Sequence, residues 1–197
     1  MNQETKMTQI TLEIDGKTVE AVEGSSLLDV ARQAGADIPT LCQNAQLNEK
    51  GSCRLCIVEV VKGKKRSLVA SCAYPVENGL VVKTSTPEIE KHRKLLVELL
   101  YPTALHLAKR YGVKESRFDG PRGDCNLCGL CVNYCRDVAH KNVLFFEGRG
   151  VDRKVSFVPG KAHECSSCGA CFDLCSGGFV VNNHGMIGLN ERAYSGS

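Results

Sequence analysis

Apolar and polar residues alternate from the start of the readable pattern. Ile10, Leu12 and Ile14 are separated by polar neighbours as far as Asp15-Gly16, and a second β-rich run follows to Val22. Period-two alternation on one side of an Asp-Gly pair, with a β-rich run on the other, predicts a hairpin closed by a type I′ turn. The period then lengthens. Leu27, Leu28, Val30, Ala31 and Ala34 recur at helical spacing behind Gly24-Ser25-Ser26, which offers a serine N-cap, and Gly35 and Pro39 close the run. Hairpin followed by helix is the opening of a β-grasp fold. Ile57 to Val61 reads as a strand that pairs, through the basic turn Lys62-Gly63-Lys64-Lys65-Arg66, with Leu68 to Ser71. Residues 87 to 111 carry a helical period, with Pro87 at a start position and Pro102 breaking or kinking the run. Phe145 to Pro159 predicts a short β-excursion. The expected class is therefore α+β.

Cysteine changes this picture most. The chain has 197 residues and twelve cysteines, which fall into three sets of four. The first set is Cys42, Cys53, Cys56 and Cys72. The second (Cys125, Cys128, Cys131, Cys135) and third (Cys165, Cys168, Cys171, Cys175) repeat one pattern, C-x2-C-x2-C-x3-C, forty positions apart. Four soft thiolates converging on one point are the donor set of an iron-sulfur cluster, and three sets account for every thiol. A disulfide framework belongs to secreted chains, whereas Met1 to Lys6 is polar, without the apolar core of a signal peptide. Structural zinc explains C-x2-C pairs but gives no role to a third cysteine at the same interval and a fourth after three residues.

Composition sets the remaining bounds. With 43% hydrophobic and 24% charged residues the chain can form modest cores. The cysteine-rich half is expected to depend on its metal for stability. A net charge of +3 gives no ground for nucleic-acid binding, and Lys62 to Arg66 reads first as a solvated turn, second as a docking point for an acidic partner. No apolar run approaches eighteen residues, so direct membrane insertion is not expected and the location reads as cytoplasmic. There is no glycine-rich dinucleotide fingerprint, no flavin-binding stretch and no cysteine left to attach a hydrogen-activating metal centre. No catalytic residue is assigned.

The order β-β-α, cysteine loop, strand and late cysteine resembles ferredoxin-like 2Fe-2S domains. Ten residues separate Cys42 from Cys53, a longer interval than in plant-type ferredoxins. With Gly51-Ser-Cys53-Arg-Leu-Cys56, Ser71-Cys72-Ala-Tyr-Pro and Gly79-Leu-Val-Val-Lys-Thr, the chain resembles the N-terminal module of the large peripheral subunit of respiratory complex I. That family includes the diaphorase iron-sulfur subunits of NAD-linked hydrogenases and related electron-bifurcating complexes. The resemblance covers roughly residues 8 to 182. It implies a β-grasp 2Fe-2S domain (7–85), a helical linker (86–120), a two-cluster 4Fe-4S ferredoxin-like domain (121–185) and a tail (186–197). The family carries a further cluster bound by one histidine and three cysteines after the linker helix. Here Tyr101 to Leu107 contains no cysteine, so that cluster is expected to be absent, with His92 and His106 left as surface or packing residues.

In two-cluster ferredoxins the fourth cysteine of each run ligates the other cluster. The resemblance thus implies one 4Fe-4S cage of Cys125, Cys128, Cys131 and Cys175, and another of Cys165, Cys168, Cys171 and Cys135. Gly129, Gly169, Gly177 and Gly178 allow close backbone approach. The bacterial pattern ends in C-P, but Arg136 and Ser176 follow the fourth cysteines here. A guanidinium or a hydroxyl near a cluster would raise its potential; the plainer reading is that both relax a turn. His163 reads as a surface residue. The resemblance further implies an iron-sulfur electron carrier between a flavin-bearing NAD(P)H-oxidising subunit and a second redox partner, ferredoxin or a catalytic subunit. The alternatives are a free-standing polyferredoxin shuttle and a cluster-dependent redox regulator.

Overall fold

The computed structural model describes residues 8–47, 51–118 and 125–182, which divide into two compact units: one comprises residues 8–40 and 53–97, the other residues 41–47, 51–52, 98–118 and 125–182. In the first unit, β1 (Gln9–Ile14) and β2 (Lys17–Val22) form the hairpin, with Asp15 and Gly16 both at positive φ (49° and 80°), as a type I′ turn requires. Along β1 burial alternates strictly, with Ile10, Leu12 and Ile14 facing inward. Helix α1 (Leu27–Gln33) lays Leu27, Leu28 and Ala31 on the same core, each wholly buried. Burying each of these leucines contributes about 2 kcal/mol. Ser26 stands at the N-cap, but its hydroxyl makes no capping bond; its backbone is taken up in a bridge to Pro75.

β3 (Ile57–Lys62) and β4 (Lys65–Ala70) form a second hairpin around Gly63-Lys64, so Lys65 and Arg66, assigned by sequence to the turn, belong to the strand. β5 (Val81–Lys83) lies between β1 and β3, parallel to the first and antiparallel to the second. The sheet order is β2-β1-β5-β3-β4. Hairpin, crossing helix and parallel return strand make the β-grasp arrangement. Asp15 fastens the return strand by accepting hydrogen bonds from the Thr84 backbone N–H and hydroxyl. Helix α2 (Pro87–Leu99) starts at Pro87 and buries Ile89, Arg93 and Val97, four residues apart, as one stripe.

The second unit begins its regular structure at α3 (Leu105–Arg110), separated from α2 by the turn containing Pro102. It continues with α4 (Leu130–Asp137), the antiparallel pair β6 (Leu144–Glu147) and β7 (Lys154–Phe157), and α5 (His163–Cys168). Its core combines Val132, Val143, Leu144, Val155, Phe157 and Val180 with buried cysteines. Among the described residues no helix is long and apolar enough to cross a membrane.

Candidate functional site

In the sheet unit the predicted cysteines sit where β-structure gives way to turns. Cys53 and Cys56 flank Arg54, whose φ of 60° reverses the chain, and Cys72 lies in a 3-10 turn (Ser71–Ala73) directly after β4. All three are buried, and the Cys56 and Cys72 sulfurs stand 3.2 Å apart. Sequence reasoning did not single out the residue that brings them together. Ser71, wholly buried, donates from its hydroxyl (2.7 Å) and its backbone N–H (3.1 Å) to the Cys56 carbonyl, joining the two cysteine segments. Cys42, also buried, is on the 41–52 segment of the second unit.

In the second unit, eight cysteines line two cavities. One is walled by Cys125, Cys128, Cys131 and Cys175, with Val155, Leu174 and Phe179. The other is walled by Cys135, Cys165, Cys168 and Cys171, with Leu144 and Phe172. The fourth cysteine of each run therefore opens into the cavity of the other run's triplet. Helix geometry accounts for half of this exchange. Cys131 and Cys135 are four residues apart on α4, one turn up the same side, so one helix feeds both cavities. The repeats are less alike than their spacing. In the first run the third and fourth cysteines are helical; in the second, Cys165 and Cys168 lie on α5, Gly169 ends it at φ 58°, and Cys175 follows a 3-10 turn (Phe172–Leu174). The helix shifts because Gly129 begins α4 in the left-handed region, whereas its counterpart Gly169 ends α5 there.

Backbone N–H groups point at sulfur in both cavities: Leu127 N–H donates to Cys125 Sγ (3.4 Å) and Val143 N–H to Cys135 Sγ (3.2 Å). Leu127 reaches this geometry at a positive φ of 56°. Asn126 closes the first cavity. Its Oδ1 accepts the Cys128 N–H (3.2 Å) and its Nδ2 donates to Ser176 Oγ (3.2 Å), tying one run to the residue after Cys175. Arg136 is instead engaged by Asp137 through Nε (2.7 Å) and a terminal nitrogen (2.9 Å), so its charge is matched beside it. His92, His106 and His163 lie at the surface.

Burial pushes the Cys128 and Cys165 thiols up to about 11 and Cys171 to about 12, and neighbouring cysteine charges add to the rise; Cys131 is driven up by the same causes. Cys42 is among the charges that raise Cys128. Without metal, the Cys128, Cys165 and Cys171 thiols hold protons at neutral pH, and a bound cation would have to supply the positive charge that keeps them as thiolates. Among the described residues no three Cys, His, Asp or Glu side chains are placed to hold a single metal ion. Four thiols around each of two largely apolar spaces form the kind of donor set that a polynuclear group takes.

A β-grasp sheet with clustered cysteines and a second unit with two cysteine-walled cavities are features found in iron-sulfur proteins. Residues 7–87 match the family model of the 2Fe-2S iron-sulfur cluster binding domain. The chain is 34% identical over 220 aligned positions to the NADP-reducing hydrogenase subunit HndD of Solidesulfovibrio fructosivorans, covering 90% of this chain and 37% of that one. It is 32% identical to the mitochondrial NADH-ubiquinone oxidoreductase 78 kDa subunit of Neurospora crassa, covering 88% and 28% respectively. Among solved structures, a chain of the NAD+-reducing [NiFe]-hydrogenase in the H2-reduced state matches with a TM-score of 0.67 and 28% identity, over 77% of this chain and 76% of that one. The chain thus spans roughly a quarter to somewhat over a third of the curated relatives' length.

Proposed function

We propose that the chain is the electron-transfer subunit of an NAD(P)H-linked multi-subunit oxidoreductase. In this reading Cys42, Cys53, Cys56 and Cys72 hold a 2Fe-2S cluster. Cys125, Cys128, Cys131 and Cys175 hold one 4Fe-4S cluster, and Cys165, Cys168, Cys171 and Cys135 hold the other. The second unit then acts as a two-cluster ferredoxin-like domain, joined to the sheet domain through a helical linker. The observation that carries the reading is the wall of each cavity, four thiols to one space, together with the match of residues 7–87 to a 2Fe-2S domain model.

When bound, such clusters take up and release electrons one at a time. The chain's own residues set the conditions. Apolar Val155, Phe179, Leu144 and Phe172 limit water around the thiols, while the Leu127 and Val143 N–H groups offset negative charge on Cys125 and Cys135 and favour the reduced state. Hydride chemistry requires a converter between electron pairs and single electrons, which assigns a flavin-bearing NAD(P)H-oxidising subunit as one partner. Ferredoxin or a catalytic subunit is the other, an arrangement that also suits electron bifurcation. Reduction of the loaded chain by NADH only in the presence of a flavoprotein partner is the experiment that tests this reading.

A further inference from the structure

We propose that Arg93 is a positioning residue for the 2Fe-2S cage: its buried guanidinium fixes the backbone that leaves Cys56 and keeps a positive charge beside the cage, raising the potential at which it accepts an electron. The inference rests on Cys42, Cys53, Cys56 and Cys72 being that cage. Arg93 is only 1% exposed and sits in the apolar stripe of α2 between Ile89 and Val97. A guanidinium stays charged at any physiological pH, and burying it is costly unless partners satisfy it. An apolar residue would fill the stripe without that cost.

The partners indicate what the charge does. One terminal nitrogen donates to the carbonyl of Ile57 (2.8 Å), the residue after Cys56, and the other to Glu90 Oε1 (3.0 Å); Nε makes no hydrogen bond among the described residues. Glu90 is 42% exposed and its Oε1 also accepts from the Ser85 hydroxyl, so solvent and Ser85 share its charge and it compensates the guanidinium incompletely. The carbonyl of Cys56 is meanwhile held twice by Ser71. Two successive carbonyls at the exit of the cysteine loop are thereby fixed, Ile57 from α2 and Cys56 from the segment carrying Cys72. Hydrogen bonds that engage these carbonyls, and an incompletely matched cation in a poorly polarisable interior, both favour the state with one more electron.

Redox titration of the 2Fe-2S EPR signal in the full, anaerobically loaded chain tests this. Arg93→Met should lower the reduced-to-oxidised ratio at a fixed potential about tenfold, equivalent to about 59 mV for a one-electron couple. Arg93→Lys should return it toward the unsubstituted value. Glu90→Gln removes the counter-charge at a half-exposed position and should shift the potential in the opposite direction; it decides the matter if Arg93→Met fails to hold its cluster. Loaded Arg93→Met with unchanged potential, or Glu90→Gln with an unchanged or lowered one, overturns the role. Absence of any 2Fe-2S signal from the unsubstituted chain overturns the cage itself, a distinguishable result.

Discussion

Replacing Cys175 with alanine should empty the cage of Cys125, Cys128 and Cys131 and leave that of Cys165, Cys168 and Cys171 intact, although Cys175 is only four residues from Cys171 in sequence. Cys175 lines the first cavity and is not among the residues lining the second. If the chain holds two, four and four iron atoms, about ten in all, the substitution should remove about four, because three thiols retain a 4Fe-4S cluster poorly. Cys125→Ala should give the same product. Since both changes strike one cage, the double variant Cys125→Ala/Cys175→Ala should lose no more iron than either single one, whereas Cys165→Ala/Cys175→Ala should lose about eight. The assay is iron and acid-labile sulfide on anaerobically purified protein, with low-temperature EPR of the dithionite-reduced chain to identify the cluster left behind. A Cys175→Ala variant that behaves like Cys165→Ala, with the two losses failing to add, would refute the exchange of fourth cysteines.

Two further outcomes follow from the second unit. An alanine Cβ at Gly148, where φ is +74°, would lie 2.5 Å from the Asp152 carbonyl oxygen, whereas at Gly150 (φ +57°) it would meet nothing within 4 Å. Gly148→Ala should therefore destabilise the loaded chain by about 3 kcal/mol and Gly150→Ala by about 1 kcal/mol in thermal or urea unfolding; equal effects would show that the turn yields. The second concerns pH. The thiols of Cys128, Cys165 and Cys171 are raised from 9.0 to about 11, 11 and 12, so any stability they lend the iron-free unit is fully present below pH 9 and is lost as pH climbs through 11 to 12. At neutral pH those three thiols carry protons, so ligating metal through them should give proton release in excess of what iron and sulfide produce without protein, measurable in a pH-stat. Loading without proton release would contradict the protonated resting state.

Local patterns disclosed most of the sheet unit, because its turns and strands are set by short-range chemistry. Asp15-Gly16 announced a type I′ turn and received one, and the Ile10, Leu12, Ile14 alternation became the buried face of β1. Cysteine spacing likewise singled out the residues that now wall the two cavities. What escaped were interactions with no short-range signature. Arg93 in an amphipathic helix looks like any surface arginine until the Ile57 carbonyl, thirty-six residues away in sequence, is brought to it. Ser71 next to Cys72 gave no sign of its bond to Cys56, and Asn126 no sign of Ser176, fifty residues on. The two C-x2-C-x2-C-x3-C runs looked equivalent, yet glycines at matching positions start one helix and end the other. The charge reading of Arg136 also required the fold, since only there does Asp137 take up its guanidinium.

In the proposed role this chain carries single electrons and depends on a flavoprotein to obtain them from a nicotinamide. The most direct measurement mixes the rigorously flavin-free, cluster-loaded chain with NADH under anaerobic conditions, with and without the flavin-bearing partner, and follows cluster reduction by EPR. Without the partner the spectrum should remain that of the oxidised chain. With it, the 2Fe-2S signal and then those of the two 4Fe-4S cages should appear. Reduction by NADH in the absence of any flavoprotein would contradict the account and require a nucleotide site within the chain itself.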